Sequence, residues 1–162
     1  MPDNAPSDSG TFRGICKMDQ ETDSPQPRMN VAELTAFLDA AFPMQTRQNL
    51  GEVVSITPER LRMRLDPTPA MARPGNIVSG PTLMALADCA AYLAIAAFNG
   101  PEAMAVTNAL SISFLRACRF EPVFVDARLL KLGRRLANAE IRIWQRREDR
   151  LIAHSTVGYA LP

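Results

Sequence analysis

From Pro81 to Phe98 the chain runs for eighteen mostly apolar residues, and one carboxylate, Asp88, stands among them. Cys89 and Tyr92 are the only other ionisable side chains between Arg73 and Glu102. A membrane-spanning helix needs about 20 predominantly apolar residues. Here weakly hydrophobic alanine predominates, and a central Asp costs roughly 2.5 to 3.5 kcal/mol on insertion scales. The pattern therefore predicts no membrane span. It predicts a helix from about Gly80 to Phe98, apolar on nearly all sides and buried in a protein core, which Asn99-Gly100-Pro101 stops. A carboxylate in such a helix needs hydrogen-bond partners or a water-filled cleft. A carboxyl group taken out of water holds its proton more readily, which is what suits an acid to general-base work near neutral pH. The structural alternative is an Asp that bonds a backbone amide of a neighbouring loop.

Around this helix the patterns change. Residues 1 to 28, with Pro2, Pro6, Pro25 and Pro27 among Asp, Ser and Thr, show no sustained apolar period and read as a disordered tail. The domain is expected over residues 29–162. Asn30 with Glu33 three positions on forms a capping-box pattern. Val31, Leu34, Phe37, Leu38 and Ala41 then lie on one helical face, and Pro43 ends it. Two short strands are expected over 51–57 and 61–65, the second with Leu61, Met63 and Leu65 alternating with Arg62 and Arg64. Residues 66–78, with Pro67, Pro69, Pro74 and Gly75, read as loop. After the helix, Leu110, Ile112 and Phe114 alternate with Ala109, Ser111 and Ser113. Val123, Val125 and Ala127 alternate with Phe124, Asp126 and Arg128. Gly133 marks a hairpin; Ala139, Ile141 and Ile143 form a further strand, and a last one spans about 151–160. The order is helix, two strands, long buried helix, four strands. An α+β fold in which one antiparallel sheet wraps around the long central helix would bury that helix.

Composition narrows the function. Eighteen basic against seventeen acidic residues give a net charge of +1, so no global field draws the chain to nucleic acid or anionic lipid, and an anionic ligand must be held locally. Three cysteines, Cys16, Cys89 and Cys118, show no CxxC spacing; this fits a reducing cytoplasm better than a disulfide framework. The single histidine, His154, argues against a His-rich metal site, and its strand setting suits a structural role. Cys89, on an apolar helix, reads as packing rather than as a nucleophile.

Val78-Ser79-Gly80-Pro81 precedes the helix. A helix N-terminus offers free N–H groups and a positive dipole end, glycine lets a ligand oxygen approach the backbone, and proline fits the first turn. This is a candidate oxyanion site; the structural alternative is a helix capped by Ser79. The stretch from Gly75 to Ala94 resembles the signature of hotdog-fold acyl-CoA thioesterases of the PaaI type, in which a His-Gly-Gly turn precedes a helix carrying Leu-x-Asp. Ser79-Gly80-Pro81 takes the place of the turn, and Leu86-Ala87-Asp88 the acidic place at the same spacing. The similarity extends over roughly residues 48–161, through Val106-Thr107-Asn108 and Leu132-Gly133-Arg134-Arg135.

The resemblance implies a hotdog fold and hydrolysis of an acyl-CoA thioester, with no cofactor beyond the coenzyme A of the substrate and no metal. Asp88 would orient or deprotonate the attacking water, the Gly80 N–H would polarise the carbonyl, and Thr107 would help hold the water. Where relatives carry an assisting loop Asn or Gln, the spacing falls at Arg73, with Asn76 nearby. The site would lie between two protomers, Asp88 facing the Gly80 turn and Thr107 across the interface of a dimer or a dimer of dimers. Ser79 and Pro81 depart from the His-Gly-Gly pattern, and Pro81 removes one backbone donor. Among the basic residues Arg116, Arg119, Lys131, Arg134 and Arg135, Arg134 and Arg135 are candidates for the coenzyme A phosphates; a solvated edge that discourages strand aggregation explains any of them as well. Two other readings differ in kind. One is a non-catalytic acyl-CoA binding or regulatory protein. The other is a hotdog dehydratase, whose chemistry pairs an acid with a histidine that this helix lacks.

Overall fold

The computed structural model describes residues 25–162. The first helix, α1 (Val31–Ala41), starts as its capping box requires. Asn30 Oδ1 accepts the Glu33 N–H at 3.0 Å, and Glu33 Oε2 accepts the Asn30 N–H at 2.8 Å. Leu34 and Leu38 are its buried residues, and its last turn leads through Phe42 into a single turn of helix, α2 (Met44–Arg47). Of the tail residues, 1–24 lie outside the described residues. Arg28 is fastened to the far end of the long helix, its N–H donating to the Ala97 carbonyl at 2.7 Å.

A six-stranded antiparallel sheet follows. Its strands are β1 (Glu52–Ile56), β2 (Leu61–Leu65), β5 (Val106–Phe114), β6 (Val123–Leu132), β7 (Leu136–Trp144) and β8 (Leu151–Ala160), in the spatial order β1-β2-β6-β7-β8-β5. The segment read as loop holds one 3-10 turn (Pro69–Met71) and a small hairpin, β3 (Ala72–Arg73) with β4 (Ile77–Val78). These pieces are two or three residues long, too short to leave a period in the sequence.

The long helix, α3 (Gly80–Asn99), lies across β2, β6, β7, β8 and β5, with α1 against its outer side. It is long and apolar enough to cross a membrane, but 72% of that apolar stretch is buried inside the fold. Leu86, Ala90, Leu93 and Ala94 are wholly inaccessible, and they meet the inward residues of the strands: Met63, Val125, Ile141, Ile143 and Val157. Gly100, at φ +104°, ends the helix, as the Asn-Gly-Pro signal predicts.

The register of β5 against β8 has one irregularity, and it positions a side chain. Leu110 pairs with Val157 and Ala109 with Gly158, but Thr107, not Asn108, pairs with Tyr159. One extra residue, Asn108, is accommodated as a β-bulge. In a regular strand Thr107 would point away from Leu110 and Ile112; the bulge turns it onto their face, toward α3.

The other sheet face carries a polar cluster. Asp126, 7% exposed, accepts both arms of Arg62 at 2.6 and 2.8 Å and the Trp144 indole N–H at 3.2 Å. Arg62 lies 4.9 Å over the Trp144 ring, which stacks on Phe124. His154 pairs with Glu140 at 2.9 Å on this same face, away from α3.

Candidate active site

Asp88 is half-buried on α3 and makes no bond to a loop amide. Its Oδ1 accepts two hydroxyls, Thr107 Oγ1 at 2.7 Å and Tyr159 Oη at 2.7 Å. Thr107 and Tyr159 are the cross-strand partners that the bulge aligns, so two strands and one helix converge on a single oxygen. Oδ2 has no partner among the described residues. No buried side-chain nitrogen or oxygen among them is left unpaired, so Oδ2 opens to space. That space is a cavity of about 430 Å³ between the end of α1, the middle of α3 and the start of β5. Phe42, Leu50, Tyr92, Ala103 and Ala105 line it with Asp88. Tyr92 packs between Phe37 and Tyr159, at ring separations of 5.4 and 6.1 Å, so an aromatic wall stands one turn of helix beyond the carboxylate.

The neighbouring thiol is inert. Burial, with the adjacent Asp88 charge, pushes Cys89 up to about 12 against a smaller opposing effect of Arg47. A thiol held there supplies almost no thiolate near neutral pH.

Gly80 opens α3 beside a second cavity of about 570 Å³, lined by Arg73, Ile77, Pro81, Phe114 and Arg116 among others. Ser79 occupies the cap position, but its hydroxyl pairs with the Thr82 hydroxyl at 2.8 Å and caps no N–H. The Gly80 N–H thus finds no acceptor among the described residues. A Cβ at position 80 would meet its first neighbour, the Phe114 ring, at 3.4 Å, an ordinary contact, so the chain's own packing does not demand glycine there.

The two halves are separate within one chain. Asp88 lies eight positions along the helix from Gly80, which is about 12 Å of rise. Thr107 stands with Asp88 and bonds it within the same chain, not across an interface as the resemblance implied. Arg73 lines the cavity at Gly80, and Asn76 sits at φ +52° in the tight turn beside it, its carbonyl accepting the Phe120 N–H at 3.3 Å. Arg134 and Arg135 are exposed in the β6–β7 turn and line neither cavity. Tyr159 is the site residue that sequence reasoning does not reach. Among the described residues, no three His, Cys, Asp or Glu side chains cluster as a metal site would need.

The profile of the thioesterase superfamily matches residues 75–152, a stretch that includes Gly80, Asp88 and Thr107. Among solved structures, a candidate thioesterase from Silicibacter sp. TM1040 is 33% identical, with 86% of this chain and 96% of that one covered and a TM-score of 0.77. Zebrafish thioesterase superfamily member 2 is 20% identical over 83% of this chain and 99% of its own, at a TM-score of 0.72. A phenylacetic acid degradation-related protein from Ralstonia eutropha JMP134 is 23% identical over 79% and 98%, at 0.68; these last two speak for the fold. No curated protein sequence matches. A 33% identical relative matched over almost its whole length, a sheet curled around one apolar helix and an acid on that helix all agree: the chain belongs to the thioesterase superfamily, has the hotdog fold, and is of the class that hydrolyses thioesters.

Proposed function

We propose that this protein hydrolyses an acyl-CoA thioester by water attack assisted by Asp88. The observation that carries the reading is the asymmetric carboxylate: Oδ1 is filled by two hydroxyls while Oδ2 faces a cavity. A base must reach the proton it removes, and Oδ2 is the free acceptor in place to do so. The acyl group would lie against the apolar lining of Phe42, Leu50 and Tyr92, with its carbonyl over the water at Oδ2. As the tetrahedral intermediate forms, an N–H donor must meet the developing oxyanion. Gly80 offers one: its N–H has no acceptor among the described residues, and the residue lines a cavity. Collapse of the intermediate breaks the C–S bond and leaves the carboxylic acid, and the departing coenzyme A thiolate takes up the proton that Asp88 had removed from the water.

Because Gly80 and Asp88 open to different cavities of one chain, the working site is completed by a second copy, the Gly80 turn of one protomer lying over the Asp88 of the other. The surface that suits this is β5, a nine-residue strand at the edge of the sheet whose outer hydrogen-bonding side is unpaired among the described residues. Val106 and Phe114 at its two ends are 62% and 51% exposed. Two such edges side by side would extend the sheet across a two-fold axis. Arg73 and Arg116, beside the Gly80 cavity, are better placed than Arg134 and Arg135 to meet phosphate groups there.

The test is turnover across a panel of short, long and aromatic acyl-CoAs. Wild-type protein is expected to release free thiol from at least one of them. Asp88→Asn keeps the shape and the hydroxyl contacts but is a poor base, so its turnover should fall by roughly 10²- to 10⁴-fold with binding retained. Equal and negligible turnover in both, with tight acyl-CoA binding, would instead make this a binding protein.

A further inference from the structure

We propose that Tyr159 is a positioning residue for Asp88: its phenol and the Thr107 hydroxyl together clamp Oδ1, and so dictate that Oδ2 is the oxygen presented to water. The inference rests on the hydrolytic reading above and names how its base is aimed.

An aspartate on a helix can turn about two side-chain bonds, and a single hydrogen bond leaves its carboxylate plane free to pivot. Here Oδ1 is held from two directions. Thr107 Oγ1 approaches from β5 and Tyr159 Oη from β8, each at 2.7 Å, and the phenol also lies 3.1 Å from the Asp88 carbonyl oxygen. A carboxylate oxygen has two lone pairs, enough acceptor capacity for both donors. The remaining acceptor capacity is on Oδ2, the atom open to the cavity.

Tyr159 is built to stay where it is. It is 3% exposed, and β8 is an interior strand, so its backbone is paired to Ala137 on one side and Thr107 on the other. Its ring packs against Tyr92. Burial drives its phenol well above the ordinary tyrosine range, with Asp88 acting in the same direction and Thr107 opposing, so it remains a protonated donor wherever the protein is folded near neutrality. A misplacement of about 1 Å at a reacting group can cost on the order of 100-fold in rate. Fixing one oxygen with two rigid strands limits that misplacement. Nothing in the resemblance assigns Tyr159 a part; it stands at the wall of the cavity with its hydroxyl directed to Asp88, and it acts through that carboxylate.

A steady-state and a spectroscopic measurement together test this. Tyr159→Phe removes one hydroxyl and keeps the ring. Its kcat should fall roughly 10- to 100-fold, with KM within about twofold of wild type and thermal stability nearly unchanged; the split between kcat and KM separates aiming from simple loss of packing. Tyr92 and Tyr159 are the only tyrosines in the chain, so protein labelled with ¹³C at tyrosine Cζ gives two signals, which Tyr159→Phe assigns. Asp88→Asn should move the Tyr159 signal and leave the Tyr92 signal in place. This arm keeps Tyr159 intact and therefore decides even where Tyr159→Phe fails to fold. An active wild type with an equally active Tyr159→Phe overturns the proposal, as does a Tyr159 signal indifferent to Asp88→Asn. A wild type inactive on every acyl-CoA overturns the hydrolytic reading first, and the aiming role falls with it.

Discussion

Cys89 and Asp88 are neighbours on α3, and the fold treats them differently. Asp88 reaches a cavity through one oxygen, whereas Cys89 is 4% exposed, and burial aided by the Asp88 charge pushes its thiol up to about 12. Burial, with Glu121 adding to it, does the same to Cys118, which also sits at about 12. These raised values set a direction for stability. Below about pH 9 both thiols are protonated in the folded and unfolded chain alike, and their contribution is fully present. Above it the unfolded thiols ionise while the folded ones keep their protons, so stability is lost as pH rises from about 9 toward about 12. Each pH unit in that window removes up to about 1.4 kcal/mol per thiol. Tyr92 and Tyr159, both raised chiefly by burial, add a loss of the same sign above about 10. Urea unfolding midpoints should fall steeply between about pH 9 and 11, and the double variant Cys89→Ala, Cys118→Ala should fall less steeply over the same interval. Equal slopes would mean that the thiols are not held protonated by the fold. At this scale the sequence was informative about Asp88, because one charge in an apolar run is visible without coordinates. It was silent on Tyr159: a tyrosine near the end of a strand carries no sign of what its hydroxyl meets seventy-one residues away.

Gly51 introduces β1 at φ +79°, and a Cβ there would come within 2.7 Å of the Arg64 carbonyl oxygen, a backbone atom of the paired strand that cannot step aside. Both the left-handed conformation and the close approach require glycine. Gly51→Ala should therefore destabilise the protein by about 1 to 3 kcal/mol, seen as a lowered urea midpoint; an unchanged midpoint would show that β1 can shift away from β2 at little cost. The elements that could be read in advance are those with a long period or a cap. α1 has its capping box, α3 its apolar run and Gly100 stop, and β2, β6 and β7 their alternation. α2 and the β3–β4 hairpin are too short for any period to show. In β5 alternation misleads: by strict parity Thr107 shares a face with Ala109, Ser111 and Ser113, and only the bulge at Asn108 brings it round to Asp88. Only the resemblance points to Thr107, and the geometry that puts it at the site lies in pairing that no single strand encodes.

Across the whole molecule, the sheet does for α3 what a bilayer would otherwise do, covering an apolar surface that is too long to leave in water. That arrangement places Gly80 at one end of the helix and Asp88 two turns on, in separate cavities. The proposed chemistry uses both, drawn from two chains, and this has a consequence that mixing subunits can read. On the proposed mechanism, Asp88→Asn removes the base of its own protomer but leaves its Gly80 turn sound. Gly80→Val, with a branched side chain set against Phe114 where glycine left room, obstructs the turn but leaves its Asp88 sound. Each variant alone is expected to be nearly inactive. In a heterodimer one site combines both defects, while the other joins a sound Asp88 to a sound Gly80 turn. Random mixing of equal amounts should therefore restore about a quarter of wild-type turnover per chain, since half of the dimers are mixed and each holds one good site. Were each site assembled within a single chain, the mixed dimer would contain two defective sites and no activity would return. Mixing after mild denaturation and refolding, with the dimer population followed by light scattering, separates the two outcomes, because only shared sites gain turnover as mixed dimers form.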